Sequence, residues 1–267
     1  MVKLTIDNIP VEVNENTTIL EAARSVGINI PTLCFLKDIN EIAACRICIV
    51  EIDGVDILVP SCNNYVKEGM VVSTNSPKVR EARKTNVELI LSQHRTNCAI
   101  CTRSGNCTLQ KISTDLCINE IPYEVKTSKF QWSHRSMLIR DSSKCIKCMR
   151  CVQICDKVQS LNIWDVEGTG ARTTVDVSQN RRIMDADCSL CGQCITHCPV
   201  GALRSRDHTQ EFFDALADKE KTVVVQVAPA VRAAWGEELG LSREEATTGK
   251  IVAALKHMGV DYVFDTD

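Results

Sequence analysis

Two stretches, "CIKCMRCVQIC" (residues 145–155) and "CSLCGQCITHC" (residues 188–198), repeat one cysteine pattern, C-x-x-C-x-x-C-x-x-x-C. Thiolates are soft ligands, and three of them on one tight loop can reach three corners of an iron-sulfur cube. The fourth corner must be taken by a residue arriving from elsewhere. In this pattern the fourth cysteine of each run serves the other cluster. Cys145, Cys148, Cys151 and Cys198 are therefore expected to hold one 4Fe-4S cluster, and Cys155, Cys188, Cys191 and Cys194 a second. Two zinc sites are the bland alternative, but structural zinc usually takes its ligands as separated pairs. The chemistry implied is the uptake and release of single electrons.

The first run departs from the bacterial ferredoxin motif in one respect: Asp156 follows Cys155 where proline is usual, whereas Pro199 follows Cys198. The turn after Cys155 is thus the geometry in question. Lys144, Lys147 and Arg150 crowd the same run, and the simplest expectation is a solvated charged loop, screened by salt.

Nearer the N-terminus stand Cys34, Cys45, Cys48 and Cys62. A central C-x-x-C flanked by single cysteines is similar to plant-type 2Fe-2S ligation, although the first gap is longer than in that type. A zinc site is the alternative here too. The remaining cysteines, Cys98, Cys101, Cys107 and Cys117, lie in and just after "SQHRTNCAICTRSGNC", with His94 upstream. Either His94 or Cys117 could complete this set, because histidine can replace cysteine as an iron ligand. Spacing alone leaves both open.

The elements around these residues can be read from periodicity. "KLTIDNIPVEV" gives two period-2 runs about a turn at Asp7 and Asn8, and "TTILEAARSVG" gives a helix capped by Thr17 or Thr18 and ended at Gly27. A second helix starts at Pro77 and delivers His94 at its end. Residues 118–141 have no sustained period and read as a connector. From residue 222 the texture becomes apolar strand, helix from Pro229, second helix ended by Gly259, apolar strand, which is how an α/β domain opens. The expected organisation is α+β and multidomain. It comprises a 2Fe-2S unit (1–76), a helical segment bearing one histidine and three cysteines (77–117), the connector (118–141), a two-cluster unit (142–210) and a partial α/β domain (211–267).

Sixteen cysteines in 267 residues, with only 4% aromatic residues, mean that something besides apolar burial helps hold the chain. No apolar signal-peptide core opens the sequence, so the thiols read as metal ligands in a reducing, cytoplasmic setting rather than as disulfides. A net charge of -3 without a basic stripe argues against nucleic acid, and no apolar run is long enough to span a membrane.

In order along the chain, the early cysteines, "NVELILSQHRTNCAICTRSGNC", both cysteine runs and the tail "VAPAVRAAWGEELG" to "TGKIVAALKHMGVDYVFDTD" resemble the N-terminal half of a multi-cluster iron-only (FeFe) hydrogenase. The type is that found as the catalytic subunit of NAD-linked, electron-bifurcating enzymes. Residues 1–200 also resemble the large iron-sulfur subunit of respiratory complex I, but the tail favours the hydrogenase. The resemblance implies a β-grasp 2Fe-2S ferredoxin-like domain, a bacterial ferredoxin-like pair, and the start of an H-cluster domain. It further implies that His94, with Cys98, Cys101 and Cys107, holds a third 4Fe-4S cluster, leaving Cys117 as a spare buried thiol. Implied partners are a flavin-bearing NAD-binding iron-sulfur subunit, a small 2Fe-2S subunit and soluble ferredoxin in a hetero-oligomer. No cysteine follows Cys198, so H-cluster ligands are expected only in a longer parent chain. The role implied is an electron relay with no catalytic residue of its own; a stand-alone electron-transfer subunit of a formate dehydrogenase-like or complex I-like assembly is the alternative.

Overall fold

The computed structural model describes residues 1–130, 132 and 136–266 and divides into two compact units, Met1–Arg206 and Asp207–Asp267. The first opens with β1 (Val2–Ile6) and β2 (Ile9–Val13), joined by a two-residue turn in which Asp7 and Asn8 both have positive φ, the geometry whose twist matches an antiparallel hairpin. Helix α1 (Ile19–Ser25) begins at Thr18, whose hydroxyl accepts the Glu21 N–H at 3.2 Å. It ends with Gly27 left-handed (φ 80°), the Ile28 N–H reaching back to Ala23 O. Strands β3 (Ile49–Ile52), β4 (Val59–Pro60) and β5 (Val71–Ser73) complete a mixed sheet of order β2-β1-β5-β3-β4, with β1 and β5 parallel. Ile6, Val11, Val50 and Val72 on this sheet share one core with Ile19, Leu20, Ala22 and Ala23 of α1.

Helix α2 (Pro77–Leu91) starts at the Ser76 cap with proline in its first turn, as expected. Its buried stripe is Val79, Arg83, Val87 and Leu91, one residue per turn, so an arginine stands where an aliphatic side chain would ordinarily be. Helix α3 (Thr108–Asp115) buries Leu109 and Ile112. Of the expected connector, residues 131 and 133–135 lie outside the described residues; its end forms β6 (Leu138–Arg140).

The two cysteine runs lead into α4 (Arg150–Lys157) and the short α5 (Gln193–Thr196). Between them lies the antiparallel hairpin of β7 (Trp164–Glu167) and β8 (Thr174–Val177), and after them β9 (Leu203–Ser205) pairs antiparallel with β6. The end of the connector is therefore built into the two-cluster unit. At Asp156 the chain makes no turn: α4 continues through it to Lys157, while Pro199 follows the end of the shorter α5.

The second unit holds α6 (Thr209–Ala217), β10 (Val224–Val227), α7 (Pro229–Ala234), α8 (Thr248–His257) and β11 (Tyr262–Asp265). Strands β10 and β11 are parallel, in register from Val224 with Tyr262 to Val227 with Asp265, and two helices occupy the crossover between them. Among the described residues no helix is long and apolar enough to cross a membrane.

Candidate iron-sulfur sites

All sixteen cysteines are free thiols. In the N-terminal set the Cys34 and Cys45 side chains hydrogen-bond each other, as do those of Cys48 and Cys62, and the two pairs lie close enough to feel each other's charge. Hydrogen bonding within the pairs holds Cys45 at about 6 and Cys48 at about 7 and pushes Cys34 and Cys62 up. Four thiols of which two ionise readily form a donor set suited to a soft, positively charged metal centre. The loop turns through left-handed Ala43 and Arg46 and aims the Ile47 N–H at the Cys45 sulfur.

Arg83 closes this site from beneath. It is 5% exposed, and its guanidinium donates to Ile47 O at 2.8 Å, Ile49 O at 3.0 Å and Thr74 O at 3.1 Å. Its acceptors are neutral carbonyls, so its positive charge is left to interact with Cys48.

The two runs form two pockets. One is lined by Cys145, Cys148, Cys151 and Cys198, the other by Cys155, Cys188, Cys191 and Cys194. Each pocket thus collects three thiols from one run and the fourth from the other. The repeat extends to the backbone: Lys147 and Met149 are left-handed, and so are Leu190 and Gly192 at the matching places of the second run. Alternating left- and right-handed residues turn successive N–H groups into the loop interior, a nest for negative charge. Accordingly the Lys147 N–H bonds the Cys145 sulfur and the Arg150 N–H that of Cys148. Gly192 adopts this conformation freely, whereas at Met149 it costs about 1–2 kcal/mol. Burial pushes Cys148 and Cys194 up to about 12 and raises Cys145, Cys151 and Cys155 as well, as expected of thiols in an apolar pocket whose counter-charge would be iron.

The charges of the first run are not a solvated loop. Lys144 is buried, and Arg150 donates to Cys34 O at 3.2 Å, Phe35 O at 3.0 Å and His197 O at 3.4 Å. Lys147 is half-buried and donates to Gln93 Oε1 at 2.6 Å. Backbone carbonyls of other loops capture Arg150 and the Gln93 side chain captures Lys147, which salt screening at a surface does not anticipate.

His94 is 7% exposed, two residues past α2's C-cap, and its Nδ1 lies 2.9 Å from Lys144 O. A carbonyl only accepts, so Nδ1 carries the proton and Nε2 keeps its lone pair. Burial lowers its pKa and favours this neutral form. A ring N–H held by a backbone carbonyl is how metal-ligating histidines are usually oriented. Cys98, Cys101 and Cys107 are half-buried. The Cys107 sulfur lies 3.8 Å from Pro199 O, and Cys101 faces Gly201, where an added Cβ would come within 2.7 Å of its sulfur. Cys117 is exposed, not buried: α3 carries it roughly 12 Å from Cys107, and it turns left-handed just past the helix end. Among the described residues no three His, Cys, Asp or Glu side chains close tightly enough to hold a single metal ion.

Asn40, Arg83 and Gly201 were not legible as site residues, and Arg150 was legible only as one of three charges crowding the first run. Arg83 left a signal of its own, as a charge in line with the apolar residues Val79, Val87 and Leu91 of α2.

Residues 1–77 match the family of 2Fe-2S iron-sulfur cluster binding domains, residues 83–122 the NADH-ubiquinone oxidoreductase-G iron-sulfur binding region, and residues 144–202 the 4Fe-4S dicluster domain. Residues 221–267 match the C-terminal domain of the iron-only hydrogenase large subunit. The chain is thus an iron-sulfur protein assembled from ferredoxin-type modules.

It is a relative of iron-only hydrogenases. It is 42% identical to the NADP-reducing hydrogenase subunit HndD of Solidesulfovibrio fructosivorans, over all of this chain and 47% of that one. Identity to iron hydrogenase 1 of Clostridium pasteurianum is 34%, over 99% of this chain and 46% of that. Identity to the NADPH-Fe(3+) oxidoreductase subunit alpha of Geobacter sulfurreducens is 36%, over 77% and 24%. The chain spans about half the length, or less, of these curated relatives. Its fold is also like that of a chain in the crystal structure of an NAD+-reducing [NiFe]-hydrogenase in the H2-reduced state (TM-score 0.71, 22% identity, 92% of this chain and 99% of that one).

Proposed function

We propose that the chain is an electron relay with one 2Fe-2S and three 4Fe-4S sites, serving a hydrogenase. The observation that carries this reading is the sorting of eight cysteines into two pockets, each made of three thiols from one run and one from the other. Cys34, Cys45, Cys48 and Cys62 would hold the 2Fe-2S cluster in a β-grasp domain, and His94 with Cys98, Cys101 and Cys107 the third 4Fe-4S cluster. The donor chemistry fits: clustered thiols, inward N–H groups and a neutral imidazole with Nε2 available. When bound, the clusters supply one-electron uptake and release. The chain's own residues fix the ligands, exclude water from the buried thiols and set local charge.

The electrons would pass between a redox partner and a hydrogen-activating site outside these residues. The partners proposed are a flavin-bearing NAD-binding subunit, a small 2Fe-2S subunit and soluble ferredoxin, within a cytoplasmic hetero-oligomer. The names of the relatives and the free thiols support this. Anaerobic iron and sulfide analysis is the test: roughly fourteen iron atoms per chain are expected from the cluster types. Roughly ten or fewer in fully reconstituted protein would remove at least one site.

A second reading is a stand-alone relay subunit without a catalytic half. It is favoured by the fold likeness that covers nearly all of a chain in the [NiFe] enzyme. Intact mass of the native polypeptide separates the two: 29.6 kDa supports the subunit, about twice that the longer hydrogenase.

A further inference from the structure

Trp164 is the first residue of β7, is 3% exposed, and lines both cysteine pockets of the two-cluster unit. Its ring stacks on Trp132 at 5.9 Å with an interplanar angle of 21°, and the Arg140 guanidinium lies over the far ring of the stack. The Trp132 indole N–H is committed to Leu138 O at 2.7 Å. That of Trp164 is directed instead at the Cys194 sulfur, which it hydrogen-bonds.

The internal repeat makes this contact informative. Cys151 holds the place in the first run that Cys194 holds in the second, and both are flanked by the same left-handed turns. Around Cys151 the neighbouring influences are burial and other thiols, with no side-chain donor. The two pockets share their cysteine pattern but not their surroundings: Arg140 and Arg150 line the first, whereas the Trp164 N–H is directed at a cysteine of the second. A donor to a cluster sulfur stabilises the more negative, reduced state, and hydrogen bonds to sulfur are among the factors that set cluster potentials.

We infer that Trp164 is a positioning residue that tunes one of the two 4Fe-4S sites, donating to Cys194 and so raising the potential of that cluster while its ring forms the wall common to both. The indole stabilises an added electron on the cluster of Cys155, Cys188, Cys191 and Cys194. This rests on both cysteine quartets being 4Fe-4S sites.

The test is potentiometry of the reconstituted chain followed by electron paramagnetic resonance, comparing the unaltered protein with Trp164→Phe and Trp132→Phe. Trp164→Phe keeps an aromatic wall and removes the donor. One of the two midpoints should fall, by a threefold to tenfold change in reduced-to-oxidised ratio, ~28–59 mV for one electron. The other should stay, and Trp132→Phe should move neither. Equal shifts in both clusters, or none, would overturn the inference. Should Trp164→Phe misfold, the unaltered protein labelled with 15N-indole tryptophan decides. A nitrogen hyperfine coupling to a reduced 4Fe-4S cluster is expected, and its absence overturns the assignment. If the unaltered protein binds no such pair of clusters, it is the relay reading that fails, and the iron count reveals this before any variant is made.

Discussion

Asn40 donates through Nδ2 to the carbonyl oxygen of Cys148 at 2.9 Å, and the same amide nitrogen donates to Cys34 O at 2.7 Å. One wholly buried side chain thereby ties a residue of the proposed 2Fe-2S site to a residue of a proposed 4Fe-4S site. Arg150 reinforces the junction from the other side, with its contacts to Cys34 O and Phe35 O. The two loops are held in contact by hydrogen bonds to backbone, which fixes the separation of the sites they carry.

Asn40→Leu should loosen that junction. It leaves the buried Cys148 carbonyl without this donor, at about 1–3 kcal/mol, and removes one of the two donors to Cys34 O. Thermal unfolding should fall accordingly, and electron exchange between the 2Fe-2S and 4Fe-4S signals, followed by rapid freeze-quench spectroscopy, should slow. An unchanged exchange rate in folded, fully loaded protein would separate the bridge from electron transfer.

His94→Ala should remove or convert one 4Fe-4S signal and spare the other three clusters, whereas Cys117→Ser should change none. His94→Cys should restore a four-cysteine cluster at a lower potential, because a thiolate donates more negative charge than a neutral imidazole. Gly201→Ala should perturb the same signal, since its Cβ would meet the Cys101 sulfur. Loss of the cluster in Cys117→Ser alone would assign the fourth ligand to the cysteine.

Arg83→Leu is expected to destabilise the N-terminal domain by about 3 kcal/mol or more, because three carbonyls lose their donors. It should also lower the 2Fe-2S midpoint by removing a buried positive charge. Arg83→Lys should recover much of the potential but little of the stability, an ammonium being unable to reproduce the guanidinium fork. Urea unfolding and potentiometry of the two variants test the split.

Lys147→Gln should lower the midpoint of the cluster held by Cys145, whose sulfur feels its charge. A half-buried charge at this range is worth about 1 kcal/mol, ~40 mV for one electron. Because Arg150 is anchored on carbonyls, Arg150→Gln should in addition cost stability and weaken the junction with the Cys34 loop. Equal midpoints in Lys147→Gln and unaltered protein at low salt would mean that the lysine is screened.

The sequence by itself determined the candidate ligand types, the sorting of eight cysteines into two pockets and the local elements that bear them. Cysteine spacing is a local property, as are the cap at Thr18, the turn at Asp7 and Asn8, and proline at the start of α2. Each is set by interactions within a few residues, so each can be read along the chain. The exchange of Cys155 and Cys198 was legible as well, because three thiols on one loop cannot close four corners.

Tertiary structure decided what surrounds those ligands. Asn40 is joined to Cys148, Arg150 to Cys34 and Trp164 to Cys194 only because distant segments pack together, and nothing in the neighbourhood of any of them in sequence announces the partner. The same holds for the corrections. Lys144, Lys147 and Arg150 read as a surface loop until other segments bury the first, bring Gln93 to the second and backbone carbonyls to the third, and Cys117 reads as a buried thiol until α3 carries it out to solvent. Burial and hydrogen-bond satisfaction are sums over the whole fold, and it is these that set the charge and the donors around each thiol.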